Sequence, residues 1–192
     1  MHTEYAYEDQ LKAIVASNPQ VMGWLRDAQQ LNLNEWCIGA GLIRNLVWDT
    51  LQGNSFQPPD DIDLIYFESL NKTKDRQAEL AEKISRLSPN IKWDVTNQAT
   101  VHLWYCNDLG QEFPPLNSIL EGISTWPEYC TAVAVHLDSN DHLSILAPYG
   151  LDDLFNFKVR WNSKRASFND FSNRARDKFN TIRWPKLILA NI

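Results

Sequence analysis

Hydrophobic residues recur along this chain with two periods, the 3.6-residue period of helices and the two-residue period of strands. The helical period occurs over 7–32 (with Pro19 placed to start a second helix), 41–51, 73–88, 116–124 and from Phe168 onward. Strands are predicted over 35–39, 62–67 and 91–95, and a hairpin over 131–137 and 142–146. Helices interleaved with strands and an antiparallel hairpin predict an α+β fold with a mixed sheet.

The last predicted helix has both a start signal and an apolar stripe. Ser167 is a capping residue, and Asp170 follows it in the first turn. The positions that the helical period directs inward are Phe168, Phe171, Ala175, Phe179 and Ile182. We therefore expect this helix to pack on the body of the protein.

The length of 192 residues predicts a single domain, 1–192, with N-terminal helices over 1–32 and a basic C-terminal helical segment over 158–192. The formal net charge is −6 and unevenly distributed. Segment 158–192 holds nine basic and two acidic residues, a net +7, whereas 1–157 hold nine basic and 22 acidic residues, a net −13. An acidic chain lacks the overall basic charge of a DNA-binding protein, so no sequence-specific DNA binding is expected.

The basic segment has two interpretations. Its cations could neutralise the phosphates of a ligand or steer an anionic acceptor toward an acidic site. Alternatively, they form a solvated helix face that pairs with the acidic body. The cations in question are Lys158, Arg160, Arg174 and Lys178.

Cysteine usage and hydropathy indicate a reducing compartment. Cys37, Cys106 and Cys130 contain no CxxC pair, so free thiols are expected rather than a disulfide framework or a zinc site. The first ten residues are polar and acidic, unlike a signal peptide. The most apolar stretch, 129–137, is too short to span a bilayer. We therefore expect a cytoplasmic protein with no membrane partner.

An acidic pair lies at the start of the apolar strand predicted over 62–67. Residues two apart in a strand point to the same face, so Asp61 and Asp63 lie side by side. Both faces are otherwise apolar, which predicts an inner strand. Like-charged carboxylates there share a proton, raise a pKa or bind a cation, and Mg²⁺ prefers carboxylate oxygen. The alternative is that Asp60 and Asp61 merely end a loop and Asp63 is a half-exposed strand residue.

A turn of small residues, Gly39-Ala40-Gly41, joins the first predicted strand to the helix over 41–51. Small residues let a ligand approach the backbone, and a helix N-terminus presents free N–H groups and a positive dipole to an anion. Arg44, one turn into the helix, is placed to add a charge-assisted contact to phosphate. The alternative is a plain glycine turn between strand and helix.

Together, this turn and the motif Asp61-Ile62-Asp63 resemble the signature of the nucleotidyltransferase superfamily that includes DNA polymerase β. The turn is similar to that of tRNA CCA-adding enzymes, with Ala40 in place of the first glycine and Asn45 in place of an aspartate. Over roughly 36–185 the chain resembles a small, mostly bacterial family of uncharacterised nucleotidyltransferase-like proteins. The stretches that carry this likeness are 41–49, 60–67, 93–99, 126–135 and 147–155.

The resemblance implies a polymerase-β-like fold with added helices and a β-hairpin. It also implies a third carboxylate on a neighbouring strand, which would be Asp94. The implied activity is metal-dependent transfer of NMP from an NTP to an acceptor hydroxyl, with Asp61, Asp63 and Asp94 as catalytic residues that bind Mg²⁺ or Mn²⁺. The implied nucleotide-binding residues are Gly39, Ala40, Gly41 and Arg44. The acceptor could be a small molecule, RNA or a protein.

Two other functions remain open on the same fold. One is a catalytically silent nucleotide- or metal-binding protein, and the other is a protein-interaction module whose acidic cluster faces a basic partner. Downstream of Asp94, the amides of Asn97 and Gln98 could read a base or ribose and His102 could meet a phosphate. The alternative there is a polar loop with a surface histidine.

Overall fold

The computed structural model describes residues 2–190. Its α-helices are α1 (His2–Ala16), α2 (Pro19–Gln29), α3 (Gly41–Gln52), α4 (Lys74–Leu87), α5 (Ile119–Ile123), α6 (Asp152–Phe155) and α7 (Phe168–Lys178). Its strands are β1 (Trp36–Gly39), β2 (Ile62–Tyr66), β3 (Trp93–Asn97), β4 (Ala134–Leu137), β5 (Leu143–Leu146), β6 (Lys158–Val159) and β7 (Ile188–Leu189). Short 3₁₀ turns occupy Gln98–Leu103 and Tyr129–Thr131. The predicted α+β class is confirmed.

Five strands form the main sheet in the order β3-β2-β1-β4-β5. β2 and β3 are parallel, whereas β1 runs antiparallel to both of its neighbours and β4 and β5 form the predicted hairpin. β2 is an inner strand, as its two apolar faces predicted. β3 begins at Trp93, two residues later than expected, because its pairing with β2 starts where Ile62 lies opposite Trp93.

The two faces of the sheet are covered unequally. The larger hydrophobic core contains Ile62 and Leu64 of β2 together with side chains from α1, α2, α3 and α7. A smaller core on the other face joins Ile65 to Cys37 and to the short helix α5. Because side chains alternate along a strand, Asp63 lies on the same face of β2 as Ile65, the face of this smaller core. Asp61 is the bend residue just before β2.

The C-terminal segment contains more than the predicted helix. Ser167 caps α7 by accepting a hydrogen bond from the backbone N–H of Asp170 (3.0 Å), and β6 and β7 form a parallel pair that the sequence did not indicate. Phe171, Ala175 and Phe179 are buried as predicted. The same prediction was wrong for two residues, because Ile182 follows the end of α7 and is 90% exposed, and Phe168 stands at its first position with 43% exposed.

A buried carboxylate connects the end of the chain to α3. Asp49 accepts hydrogen bonds from Arg183 Nε (3.0 Å) and from Trp184 Nε1 (2.9 Å). Arg183 also donates to the carbonyl of Gln57, in the loop that leads to β2. The C-terminal segment thereby holds α3 and the loop before the acidic strand in one arrangement.

Cys37 and Cys130 are buried free thiols and Cys106 is an exposed one. Burial raises the pKa of Cys37 and of Cys130, which keeps both protonated. Across residues 2–190, no helix has the length and apolar character needed to cross a membrane.

Candidate active site

The turn between β1 and α3 has an unusual backbone. Ala40 adopts φ 54° and ψ −124°, a conformation that favours glycine because an L-residue with a Cβ is strained there. It is held by hydrogen bonds from its N–H to the carbonyl of Val133 (3.0 Å) and from the N–H of Arg44 to its own carbonyl (3.1 Å). This geometry aims the N-terminus of α3 at the start of β2.

The two glycines of the turn differ in what they permit. A Cβ on Gly39 would lie 2.7 Å from the Cβ of Ala134 and 2.8 Å from the carbonyl oxygen of Val133, so β1 and β4 can only pair closely with glycine there. A Cβ on Gly41 would make only ordinary contacts, the nearest at 3.6 Å from Arg44. Gly39 is enclosed by packing, and it does not line the cleft that Ala40 and Gly41 line.

The acidic residues of β2 and β3 meet across the sheet. The parallel register places Asp63 directly opposite Asp94, and neighbouring strands lie about 4.8 Å apart. Thr96 donates a hydrogen bond from Oγ1 to Asp94 Oδ1 (2.9 Å). Among the residues described, no salt bridge neutralises Asp61, Asp63 or Asp94.

This environment raises the pKa of Asp63 to about 7, chiefly because burial disfavours the charged carboxylate and then because Asp94 and Asp61 repel it. Arg174 and Lys178 act in the opposite direction. A cation in contact with Asp63 would stabilise the charged form of this carboxylate and lower its pKa.

A cleft of about 350 Å³ brings the predicted site together. Six predicted residues line it, namely Ala40, Gly41, Arg44, Asp61, Asp63 and Asp94. Arg174 and Lys178 of α7 form its basic wall, and Tyr105 and Trp126 line it as well. Tyr105 and Trp126 carried no signal in the sequence, because they come from irregular segments whose positions depend on long-range contacts.

Arg44 is buried in an aromatic environment rather than paired with an acid. Only 5% of it is exposed, and its guanidinium carbon lies 5.6, 5.1 and 6.0 Å from the ring centroids of Trp48, Phe179 and Trp184. Its Nη2 donates a hydrogen bond to Asn45 Oδ1 (2.9 Å). Burial lowers the pKa of Arg44, yet a guanidinium remains protonated in proteins. Arg44 is thus a cation of the cleft without a salt-bridge partner in the described part of the chain.

Of the four cations considered in the basic segment, two pair with the acidic body of the protein and two line the cleft. Lys158 and Arg160 form salt bridges of 2.8 Å with Asp152 and Asp153 on the body of the protein. The other two cations, Arg174 and Lys178, line the cleft.

Arg174 also has a partner beneath the cleft. Its Nε lies 3.2 Å from Oε1 of Glu128, a fully buried carboxylate that also accepts a hydrogen bond from Thr131. Lys178 makes no salt bridge within residues 2–190. The cleft therefore contains one compensated and one uncompensated cation of α7.

The amides downstream of Asp94 have structural partners. Asn97 accepts hydrogen bonds from the backbone N–H groups of Glu68 and Ala99 and donates to the Glu68 carbonyl. Gln98 is buried against Gly122. His102 has a buried Nδ1 without a hydrogen-bond partner among the described residues and lies away from the cleft.

The carboxylates suit a hard cation that shares its coordination with a substrate. Among the side chains that the structure describes, those of residues 6–190, no three His, Cys, Asp or Glu converge closely enough to form a metal centre by themselves. Asp63 and Asp94 are nonetheless adjacent and unneutralised, in a cleft whose other wall suits phosphate. Mg²⁺ is typically held by one or two carboxylates, with substrate phosphates and water completing its shell. The donor set fits that pattern.

A mixed sheet with paired aspartates on β2 and β3, next to a strand–turn–helix junction, is the arrangement expected of the nucleotidyl-transfer class. The sequence model of a family described as nucleotidyltransferase matches residues 26–189. The chain belongs to this nucleotidyltransferase family, and the predicted relationship to polymerase-β-like enzymes is confirmed. No protein in a search of curated sequences matches the chain significantly.

Solved structures share this fold. An NMR structure described as revealing a CCA-adding enzyme head domain is 25% identical with a TM-score of 0.74, and the alignment covers 96% of each chain. The Thermotoga maritima CCA-adding enzyme complexed with tRNA is 15% identical (TM-score 0.53), with 87% of this chain and 39% of that chain covered. An apo CCA-adding enzyme is 16% identical (TM-score 0.54), with coverages of 88% and 41%. This chain therefore spans about two fifths of those two enzymes, whose likeness concerns the fold alone.

Proposed function

We propose that the protein transfers a nucleoside monophosphate from an NTP to an acceptor hydroxyl, with Mg²⁺ or Mn²⁺ held by Asp61, Asp63 and Asp94. The observation that supports this most directly is the pairing of Asp63 with Asp94 in a cleft whose opposite wall carries Arg174 and Lys178. Separate acidic and basic walls are what a metal-bound triphosphate requires. Family membership supports the same chemistry.

The residues of the cleft divide the work by charge. Asp61 and Asp63 would hold the divalent cation. The backbone N–H of Gly41 and the guanidinium of Arg44 bind the β- and γ-phosphates at the start of α3, beside the Ala40 turn. Lys178 adds an uncompensated charge on the far side of the same phosphates.

The reaction is an in-line displacement. The acceptor oxygen forms a bond to the α-phosphorus while the bond from that phosphorus to the α–β bridging oxygen breaks, and pyrophosphate leaves. Asp94, the most exposed of the three carboxylates, accepts the proton of the acceptor hydroxyl. A bound divalent cation supplies charge stabilisation to the attacking and leaving oxygens. Arg44 and Lys178 retain the leaving pyrophosphate until the cleft opens to solvent.

Binding and turnover test the proposal separately. We expect the parent protein to show an upward thermal shift with Mg²⁺ and at least one of the four NTPs, and Asp63→Asn to show none, because the variant loses the negative charge that holds the cation. Pyrophosphate release with a pool of candidate acceptors then measures turnover. Equal NTP binding by the parent and Asp63→Asn in Mg²⁺ would overturn the metal-dependent mechanism. A thermal shift without pyrophosphate release would instead favour a silent nucleotide-binding protein.

A further inference from the structure

A second and larger cavity lies on the other side of the acidic residues. This groove of about 700 Å³ runs between β3 and the first turns of α4. It shares Asp61 and Asp94 with the cleft, but Asp63 lines only the cleft and a small adjoining pocket. A molecule in the groove and an NTP in the cleft would therefore approach the same two carboxylates from different sides.

The groove is rich in uncompensated positive charge. Lys72, Lys74 and Lys92 line it, and none of them forms a salt bridge within residues 2–190. The first turn of the 14-residue helix α4 lies between them, which adds the positive end of a helix dipole. Apart from the shared aspartates, the residues that line the groove carry no negative charge. The groove thus favours an anion with several phosphate oxygens.

An aromatic side chain stands at the same groove. Trp104 is 63% exposed, an unusual state for an indole that lines a cavity of this size. Exposed aromatic rings beside lysines offer a stacking surface for a planar or ring-shaped ligand. Trp93 lines the groove as well, and its indole Nε1 has no hydrogen-bond acceptor in the described part of the chain.

We propose that this groove binds the acceptor, and that the acceptor is a hydroxyl compound carrying a phosphate group and a ring. The inference rests on the proposed function and adds the substrate class. In-line transfer needs the attacking hydroxyl and the leaving pyrophosphate on opposite sides of the α-phosphorus. The NTP phosphates occupy the Arg44 side of the aspartates, so the acceptor enters from the lysine side. A volume of about 700 Å³ matches a ligand of nucleotide or sugar-phosphate size.

The test uses the full chain with Mg²⁺ and a non-hydrolysable NTP analogue. The probes are AMP, ribose 5-phosphate and an RNA hexanucleotide, and adenosine and ribose are their phosphate-free counterparts. The groove variant is Lys72→Gln/Lys92→Gln. The control is Lys83→Gln/Arg86→Gln, which removes two positive charges from exposed positions of α4 that do not line the groove. Equilibrium dialysis measures probe and NTP binding in separate samples and together.

We expect the phosphorylated probes to bind the parent and the control, and to bind the groove variant about 10-fold more weakly, because charge-assisted contacts to phosphate are lost. NTP binding should stay within about twofold in all three proteins, since the groove and the cleft bind different ligands. A higher affinity for the hexanucleotide than for AMP would assign the acceptor to a strand end, and the reverse to a free small molecule.

Three results would overturn the inference. They are the absence of probe binding to the parent, equal probe binding by the parent and the groove variant, and competition between AMP and the NTP analogue for one site. The proposed function fails by a different result, namely equal NTP binding by the parent and Asp63→Asn. If NTP binding is equal in the parent and Asp63→Asn but probe binding still depends on the groove lysines, the groove binds phosphate and the proposed transfer does not take place.

Discussion

The two walls of the cleft carry opposite charge and are stabilised in opposite ways. On the acidic wall, Asp63 and Asp94 face each other with no cation of the described residues in salt-bridge contact. On the basic wall, Arg174 pairs with the buried Glu128, and Arg44 is enclosed by aromatic rings. The basic wall therefore has two of its cations, Arg174 and Arg44, held by protein groups in the free protein, whereas the acidic wall retains a repulsion that a ligand can relieve.

The largest expected effect is a change in the free energy of unfolding when Asp63, on the acidic wall, is replaced in the absence of metal. The folded protein holds the proton of Asp63 up to about pH 7, and the unfolded chain releases it near pH 3.8. Because the folded state binds more protons between these values, the free energy of unfolding falls as the pH rises through this window. Asp63→Asn removes that loss and should raise the stability at pH 8 by at most about 4 kcal/mol. Urea unfolding in EDTA at pH 5 and pH 8 measures it.

Added Mg²⁺ provides the control for that experiment, because it should stabilise the parent at pH 8 and leave Asp63→Asn unchanged. An identical pH dependence in the parent and the variant would show that neither burial nor the neighbouring carboxylates raise the pKa of Asp63 in the folded state. In that case, the two walls would be equally compensated.

The next effect concerns the basic wall. Arg44→Met keeps an apolar side chain between Trp48, Phe179 and Trp184 but deletes the cation. We expect NTP binding to weaken by about 30-fold, or about 2 kcal/mol, because hydrogen bonds to a charged group are lost. The stability should be unchanged or higher, since a buried charge without an ion-pair partner is expensive. Titration calorimetry measures the NTP affinity of the variant, and urea unfolding of the same sample measures its stability. Lower stability with unchanged NTP binding would contradict the role of Arg44 as a phosphate ligand.

A smaller effect is expected at the rim of the same wall. Lys178→Gln should weaken NTP binding by about threefold to tenfold, since Lys178 is exposed and solvent screens its charge. The control is Arg176→Gln, which removes an equal charge from an exposed position of α7 that does not line the cleft. The difference between the two variants should shrink in 0.5 M salt. An equal loss of NTP affinity in the two variants would mean that the net charge of the protein, and not the position of Lys178, determines the effect.

The smallest effect lies in the turn between the walls. Ala40→Gly should stabilise the protein by about 1 kcal/mol, because relief of strain at φ 54° exceeds the added entropy of the unfolded chain. Ala78→Gly, at an exposed position in α4, should destabilise by a similar amount, since glycine is unfavourable within a helix. Thermal unfolding of both variants tests the pair. Two variants that destabilise alike would show that Ala40 is not strained.

The acidic wall was predictable from the sequence because its geometry is local. Residues two apart in a strand share a face, which already placed Asp61 beside Asp63. The pairing of β2 with β3 required only that consecutive strands joined by one helix lie side by side, and it brought Asp94 opposite Asp63. The errors there were in the strand bounds, because β3 runs from Trp93 to Asn97 rather than over 91–95, and β2 ends at Tyr66 rather than at 67.

The basic wall was predictable only in part, because its geometry is long-range. The sequence indicated Arg44 as a phosphate ligand, but the rings around it come from α3, from the residue after α7 and from Trp184. Charge counting also could not separate Arg174, which faces the cleft, from Arg160, which pairs with Asp153. The lysine groove was missed for the same reason, since its lysines are separated by a helix in the sequence.

The hydrogen bond from Trp184 to Asp49 joins residues that are synthesised at very different times. Arg44 is synthesised 140 residues before Trp184, an interval of about 7–28 seconds at 5–20 residues per second. During that interval the nascent chain holds Arg44 without its last two aromatic neighbours. The residues of β2 and β3 are all synthesised long before then. Each newly made molecule therefore contains the whole acidic wall in its sequence before it contains the rings that complete the surroundings of Arg44.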